Sequence, residues 1–200
     1  AGWPECQISV SNSLDERLIQ NLFLQGAQID MFGVGERMIT AKSEPVFGGV
    51  YKLTAVENDK GEIIPKIKCS ENVEKITIPH FKKVYRLYNR DNGKAIADYM
   101  TVHDEVVDEN EPLMLFDPYA TWKTKNVCNF EARELLVPVF LNGKKVYQSP
   151  TLKDIQAYCK QQVNTLWDEI KRFDNPQTYY VDLSQKLWDI QQELLRKNRN

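Results

Sequence analysis

A short apolar run, Ile29-Asp30-Met31-Phe32, ends abruptly in Gly33-Val34-Gly35, and a helix-compatible segment, Glu36 to Thr40, follows. Glycines bring bare backbone close to an anion and tolerate positive φ, and the start of a following helix adds N–H donors. Ser11 and Asn12 close an earlier strand-like segment. In a parallel sheet the carboxyl ends of such strands lie side by side, so their loops can share one ligand. The chemistry that suits Ser11, Asn12, Gly33, Val34, Gly35 and Glu36 is therefore the cradling of a phosphate. The same residues also read as a tight strand-to-helix turn without a ligand, because short glycine patterns are common.

A second group lies downstream. Gly48 and Gly49 precede a strand-like segment and permit close backbone approach. Lys52, Lys68, Lys75 and Arg86 are of the type that pairs with phosphate oxygens, with Ser70 as a hydroxyl donor. Lys68 and Lys75 flank a loop and can face one cavity; taken singly, each also reads as an ordinary surface lysine. His103-Asp104 is the one acid–base dipeptide, but no nucleophile accompanies it. Cys6, Cys69, Cys128 and Cys159 are scattered without a C-x-x-C spacing. Reduced thiols are expected, with neither a zinc site nor a disulfide framework.

Periodicity outlines the elements that must hold these residues. Gln7 to Val10 reads as a strand, and Leu14, Leu18 and Leu22 as an amphipathic helix stopped by Gly26, with Ser13 or Asp15 as its cap. Ala27 to Phe32 is the next strand. Strand, helix and strand with short connections predict a parallel pair. From Gly48 the texture becomes mainly antiparallel β. Hairpins are expected around Asn58-Asp59-Lys60-Gly61, Asn89 to Gly93 and Asn142-Gly143. The acidic stretch Asp104 to Asn129 reads as partly irregular. A helix is expected from Thr151 to Phe173, broken by Asn175-Pro176, and a last one capped by Asp182 or Ser184, with Lys197 to Asn200 fraying. Trp122, Trp167 and Trp188 read as packing residues. The segments expected are 1–47, 48–148 and 149–200.

Composition sets the outer bounds. The 200 residues are 42% hydrophobic and 27% charged, with a net charge of −2, which fits a globular protein and not a general nucleic-acid footprint. No apolar run approaches the roughly 20 residues of a membrane span, and no signal-peptide pattern opens the chain. Charge is unevenly spread. Lys60 to Lys94 holds nine Lys/Arg against four Asp/Glu, and His103 to Glu134 three against eight. A basic block near a phosphate-type loop suits an anionic ligand, although a solvated surface explains it too. The absence of an initiator Met and the opening inside a β–α pattern suggest part of a longer protein.

Taken together, Ser11-Asn12-Ser13-Leu14-Asp15, the run Gly26 to Gly35, Ile39-Thr40, Gly48-Gly49-Val50-Tyr51-Lys52-Leu53, Lys68-Cys69-Ser70, Lys75-Ile76-Thr77-Ile78-Pro79, Lys82 and Arg86 resemble the C-terminal part of the nicotinate phosphoribosyltransferases. Weaker echoes are Asn175-Pro176 and Val181-Asp182-Leu183-Ser184. The resemblance implies an α/β fold in which the first ~45 residues are the last βα units of an incomplete barrel. A mainly antiparallel β segment and a C-terminal helical pair would follow. It implies a cytoplasmic enzyme of NAD biosynthesis that joins nicotinate to phosphoribosyl pyrophosphate, with ATP hydrolysis and Mg²⁺, and that works as a homodimer. By that likeness the Gly33 to Glu36 amides hold the ribose 5′-phosphate, and Lys68, Ser70 and Lys75 approach an active site. The family's acidic R-x-D-S-G-D-type motif, its aromatic clamp for the pyridine ring and its phosphorylated histidine have no equivalent here. No catalytic or metal-binding residue is therefore assigned in this chain, and the missing N-terminal part becomes its expected partner. Two positions depart from many relatives: Glu36 stands where they place threonine, and His80 where they place glycine. The alternatives are a non-enzymatic oligomerisation or binding module, and a sibling enzyme acting on nicotinamide.

Overall fold

A computed structural model describes residues 2–46 and 48–198. Ala1, Phe47, Arg199 and Asn200, which the expected segments include, lie outside the described residues. The chain divides into two compact units, Ala1–Tyr51 and Lys52–Asn200.

In the first unit, β1 (Ser9–Ser11) and β2 (Met31–Gly33) pair in parallel, with Ser11 beside Gly33. Between them runs α1 (Glu16–Leu24), capped by the Asp15 carboxylate, which accepts from Leu18 N at 2.8 Å. Asp15 is thus the cap, and Ser13 is not. Gly26, at φ +80°, ends the helix region in a conformation that suits glycine. A short α2 (Glu36–Ile39) follows β2. Leu14 is buried, but Leu18, Phe23, Leu24, Met31, Met38 and Ile39 are exposed. The unit leaves most of its apolar surface uncovered.

Residues 48–54, expected as the body of a strand, carry no regular structure. The strand β3 forms only over Ala55–Glu57 and pairs with β4 (Ile63–Pro65) across the expected turn. Asn58 Oδ1 organises that turn by accepting from Lys60 N and Glu62 N. A single turn of 3-10 helix, Val73–Lys75, follows.

The main sheet has the order β12-β6-β5-β9. Its centre is the antiparallel pair β5 (Lys82–Asn89) and β6 (Ala95–Val102), with a bulge between Leu87 and Tyr88. Alternation along β6 buries Ala95, Ala97, Tyr99 and Thr101 on one face. The hairpin β7 (Leu113–Phe116) and β8 (Thr124–Val127) contributes Leu115 and Val127 to the same core as Leu87, Ala97, Tyr99 and Phe130. That hairpin lies within the acidic stretch expected to be partly irregular. The charges of this stretch fall mainly in its loops, while Leu113, Leu115 and Val127 supply the alternation a half-buried hairpin needs.

Two further strands were not foreseen. One is β9 (Phe130–Glu134), antiparallel to β5; the other is β12 (Val181–Leu183), parallel to β6. The small hairpin β10 (Phe140–Leu141) and β11 (Lys144–Lys145) closes over Asn142 and Gly143, at φ +50° and +74°.

Helix α3 (Leu152–Thr165) starts with a Thr151/Asp154 capping box and stops eight residues short of Phe173. It buries no residue, and Leu152, Ile155, Tyr158 and Val163 are exposed. Helix α4 (Gln185–Lys197) is capped by Ser184, not by Asp182, which sits in β12. Its Leu187 is fully buried with Val102 and Leu183. Trp188 packs as expected and donates to the Pro118 carbonyl; Trp167 donates to the Ala95 carbonyl but is 43% exposed, and Trp122 is 78% exposed.

Candidate functional site

The parallel pair β1–β2 shapes a polar hollow in the first unit. Its volume is about 280 Å³, and Asn12, Ser13, Gly33, Gly35, Glu36, Arg37 and Lys42 line it. The register explains Gly33: a Cβ there would stand 3.0 Å from the Ser11 Cβ, tighter than side chains ordinarily pack. The positive φ expected of the glycines falls elsewhere. Asn12 (+90°) and Ser13 (+51°) take it, and neither Gly33 nor Gly35 does. The turn out of β1 therefore carries the unusual backbone, while Gly33 serves close strand approach. No heavy atom lies within 4 Å of a Cβ on Gly35.

Charge in the hollow is mixed. Glu36 opens α2, and the amides of a first helical turn have no intrahelical acceptor. Arg37 forms an ion pair with Asp15, the cap of α1. Asp15 is held below the ordinary carboxylate range, first by the Leu18 N–H and also by Arg37. The Lys42 ammonium makes no ion pair among the described residues and faces the same hollow. Arg37 and Lys42 were not singled out from sequence, although two cations within seven residues of Gly35 are the signal that points to them. Ser11 stands at the end of β1, and Val34 is half-buried between the two glycines.

The remaining candidates lie elsewhere. Gly48 and Gly49 are exposed, outside regular structure, with nothing within 4 Å of an added Cβ. Lys52 Nζ donates to the Lys75 carbonyl at 2.8 Å. Thr77 N closes the loop back on the Lys68 carbonyl at 3.3 Å, and Ser70 Oγ accepts from Asn72 N. Lys52, Lys68, Ser70 and Lys75 thus belong to one loop neighbourhood in the second unit.

Arg86 is not available to a ligand. Its guanidinium grips Asp98 through Nε at 2.7 Å and an Nη at 2.9 Å, and Tyr179 OH donates to the same carboxylate. Asp98 raises the Arg86 pKa. Asp104 pairs with Lys186 instead of forming an acid–base unit with His103.

Lys82 Nζ donates to the carbonyls of Ile78, Pro79 and His80, and burial lowers its pKa to about 8. His80 has φ +79°, a left-handed conformation that favours glycine. Among the described residues, no three or more His, Cys, Asp or Glu are grouped to hold a metal. No helix there is long and apolar enough to cross a membrane.

Residues 81–191 match the family described as Nicotinate phosphoribosyltransferase C-terminal domain. A curated nicotinate phosphoribosyltransferase of Bacillus subtilis is 43% identical over 188 residues, covering 94% of this chain and 38% of that protein. The Caenorhabditis elegans enzyme of the same name is 33% identical, covering 96% and 33%. A crystal structure of human Nicotinic Acid Phosphoribosyltransferase superposes with a TM-score of 0.70 over 98% of this chain and 34% of that one, at 24% identity. That likeness shows a shared mixed α/β fold. The chain spans little more than a third of the length of these relatives.

Proposed function

The chain belongs to the nicotinate phosphoribosyltransferase family through its C-terminal domain, and from that premise we propose that it forms part of an enzyme joining nicotinate to phosphoribosyl pyrophosphate in NAD biosynthesis. In this reading the first unit contributes the last βα units of a barrel, and the hollow at Gly33 receives the ribose 5′-phosphate. The observation that carries it is the convergence of Asn12, Gly33, Gly35 and Lys42 on one polar hollow at the carboxyl ends of two parallel strands. Phosphate sites in barrels favour that position. Lys42 supplies positive charge, and amides near Gly35 and Glu36 supply donors. The Glu36 carboxylate has to turn away from a bound phosphate, because two anions in contact repel.

Such a site makes and breaks no bond. It fixes the ribose so that the ring nitrogen of nicotinate and the anomeric carbon stand in line while pyrophosphate leaves. Mg²⁺, in this reading, neutralises the leaving pyrophosphate, and ATP hydrolysis assists the reaction. Among the described residues Glu36 is the one carboxylate lining the hollow, and in this reading the ligands for these groups belong to the rest of the protein. In this reading segment 68–75 approaches an active site of the complete enzyme, which works as a homodimer. The exposed Leu18, Phe23, Leu24 and Met31 support a preceding part of the protein as the cover for the first unit.

Nicotinate mononucleotide formation tests the reading. The complete protein containing this chain forms the product from nicotinate and phosphoribosyl pyrophosphate, and the purified 200-residue chain does not. Turnover by the 200-residue chain, or none by the complete protein, overturns it.

A further inference from the structure

A second cleft lies wholly within the Lys52–Asn200 unit. A slot of about 150 Å³ between β12, β6 and the β7–β8 hairpin has Asp182 in its wall, with Phe116, Asp117 and Lys123. A larger hollow of about 520 Å³, lined in part by Trp167, Tyr179 and Gln177, shares Ile96, Lys125 and Tyr180 with the slot, so the two adjoin. The larger one is in the size range of small-molecule sites, ~300–1,000 Å³. Trp167 is held by its Nε1 donating to Ala95 O at 3.1 Å, and Tyr179 by its hydroxyl on Asp98 at 2.9 Å. The walls are fixed.

Asp182 is the feature that neither the fold nor the glycine hollow uses. The residue is only 5% exposed, its carboxylate makes no hydrogen bond or ion pair among the described residues, and its oxygens open onto the slot. A carboxylate so nearly buried without a protein partner is costly, and polar groups so placed are ordinarily satisfied. Neighbouring Asp117 has its own donors, the amides of Tyr119 and Ala120. Lys123 and Lys125 line the same slot without an ion pair among the described residues.

The geometry points to a guanine-nucleotide site, in which two adjacent ring-edge N–H donors meet Asp182 and the phosphate meets Lys123 and Lys125. An ionised carboxylate is an acceptor with two oxygens, so it selects a ligand edge bearing two donors. Tyr180 and Phe116 supply the apolar and aromatic surface that a planar base needs. The lysines at the edge suit an anionic tail, and the larger hollow has room for the sugar. An adenine edge, with one donor beside one acceptor, matches an ionised carboxylate less well. This inference stands apart from the phosphoribosyl reading, because it uses no residue of the glycine hollow.

Calorimetric titration of the complete protein with GMP, AMP and inorganic phosphate is the test. GMP binds the parent protein, AMP binds about tenfold more weakly or not at all, and phosphate alone binds weakly. Asp182→Asn lowers GMP affinity by about tenfold or more while the protein stays folded, and the preference for GMP over AMP collapses. Lys125→Ala weakens GMP a few-fold. Phosphoribosyl pyrophosphate does not displace GMP. Absence of GMP binding, equal binding of AMP, an unchanged affinity in Asp182→Asn, or displacement of GMP by phosphoribosyl pyrophosphate would each overturn the assignment. The last outcome would place GMP in the glycine hollow instead.

Discussion

Asp182→Asn has a second consequence that can be worked out in magnitude. Burial, and then the nearby charge of Asp117, raise the Asp182 pKa from 3.8 to about 6. Lys123 and Lys125 line the same slot, and burial first, then the charges of Glu105 and Asp182, raise the Tyr99 pKa to about 12. A folded-state pKa above the unfolded value means that the native protein holds the proton more tightly. The associated stability is fully present below pH 3.8 and is lost as the pH rises through about 6. The rise sets an upper bound of about 3 kcal/mol on the penalty at pH 7, and solvent in the slot screens it below that. An uncharged, nearly isosteric asparagine escapes it. Asp182→Asn is therefore expected to be more stable than the parent by up to about 3 kcal/mol at pH 7.5, and close to it at pH 4. Urea unfolding at both pH values, followed by tryptophan fluorescence, reads the difference directly; Trp122, Trp167 and Trp188 all lie in the second unit. Equal effects at the two pH values, or destabilisation at pH 7.5, would refute the reasoning.

Gly33→Ala places a Cβ 3.0 Å from Ser11 Cβ. It should part β1 from β2 and cost about 1–3 kcal/mol, with KM for phosphoribosyl pyrophosphate rising more than kcat falls in the complete enzyme. Arg86→Leu strands Asp98 and the Tyr179 hydroxyl on the sheet, and urea unfolding should show a loss of roughly 3 kcal/mol. Adding Asp98→Leu should recover most of that loss, since the uncompensated charge is then gone.

The local elements were legible wherever one chemical signal sufficed. Asn142-Gly143 and Asn58 to Gly61 announce their turns, Thr151 with Asp154 announces a capping box, and Ile8 to Val10 and Met31 to Phe32 flank a short helix as a parallel pair would. What escaped depends on long-range pairing. β12 is three residues long, and only its register beside Asp98, Tyr99 and Met100 makes it a strand. β7 and β8 were hidden by the acidic loops around them. At the candidate site the glycines were found, but the positive φ was assigned to them when Asn12 and Ser13 carry it. Asparagine tolerates that region by bonding locally, so a glycine count underestimates it. Arg86 read as a phosphate ligand because its type suits one. Asp98, directly opposite in register across the β5–β6 pair, claims it first.

The central claim is that the Gly33 hollow holds the ribose 5′-phosphate. A crystal structure of the complete protein with nicotinate mononucleotide tests it most directly. The account predicts phosphate oxygens within about 3 Å of amide nitrogens between Gly33 and Glu36, with the Lys42 ammonium in contact. A 5′-phosphate bound away from these residues, with the hollow left to solvent, would contradict it.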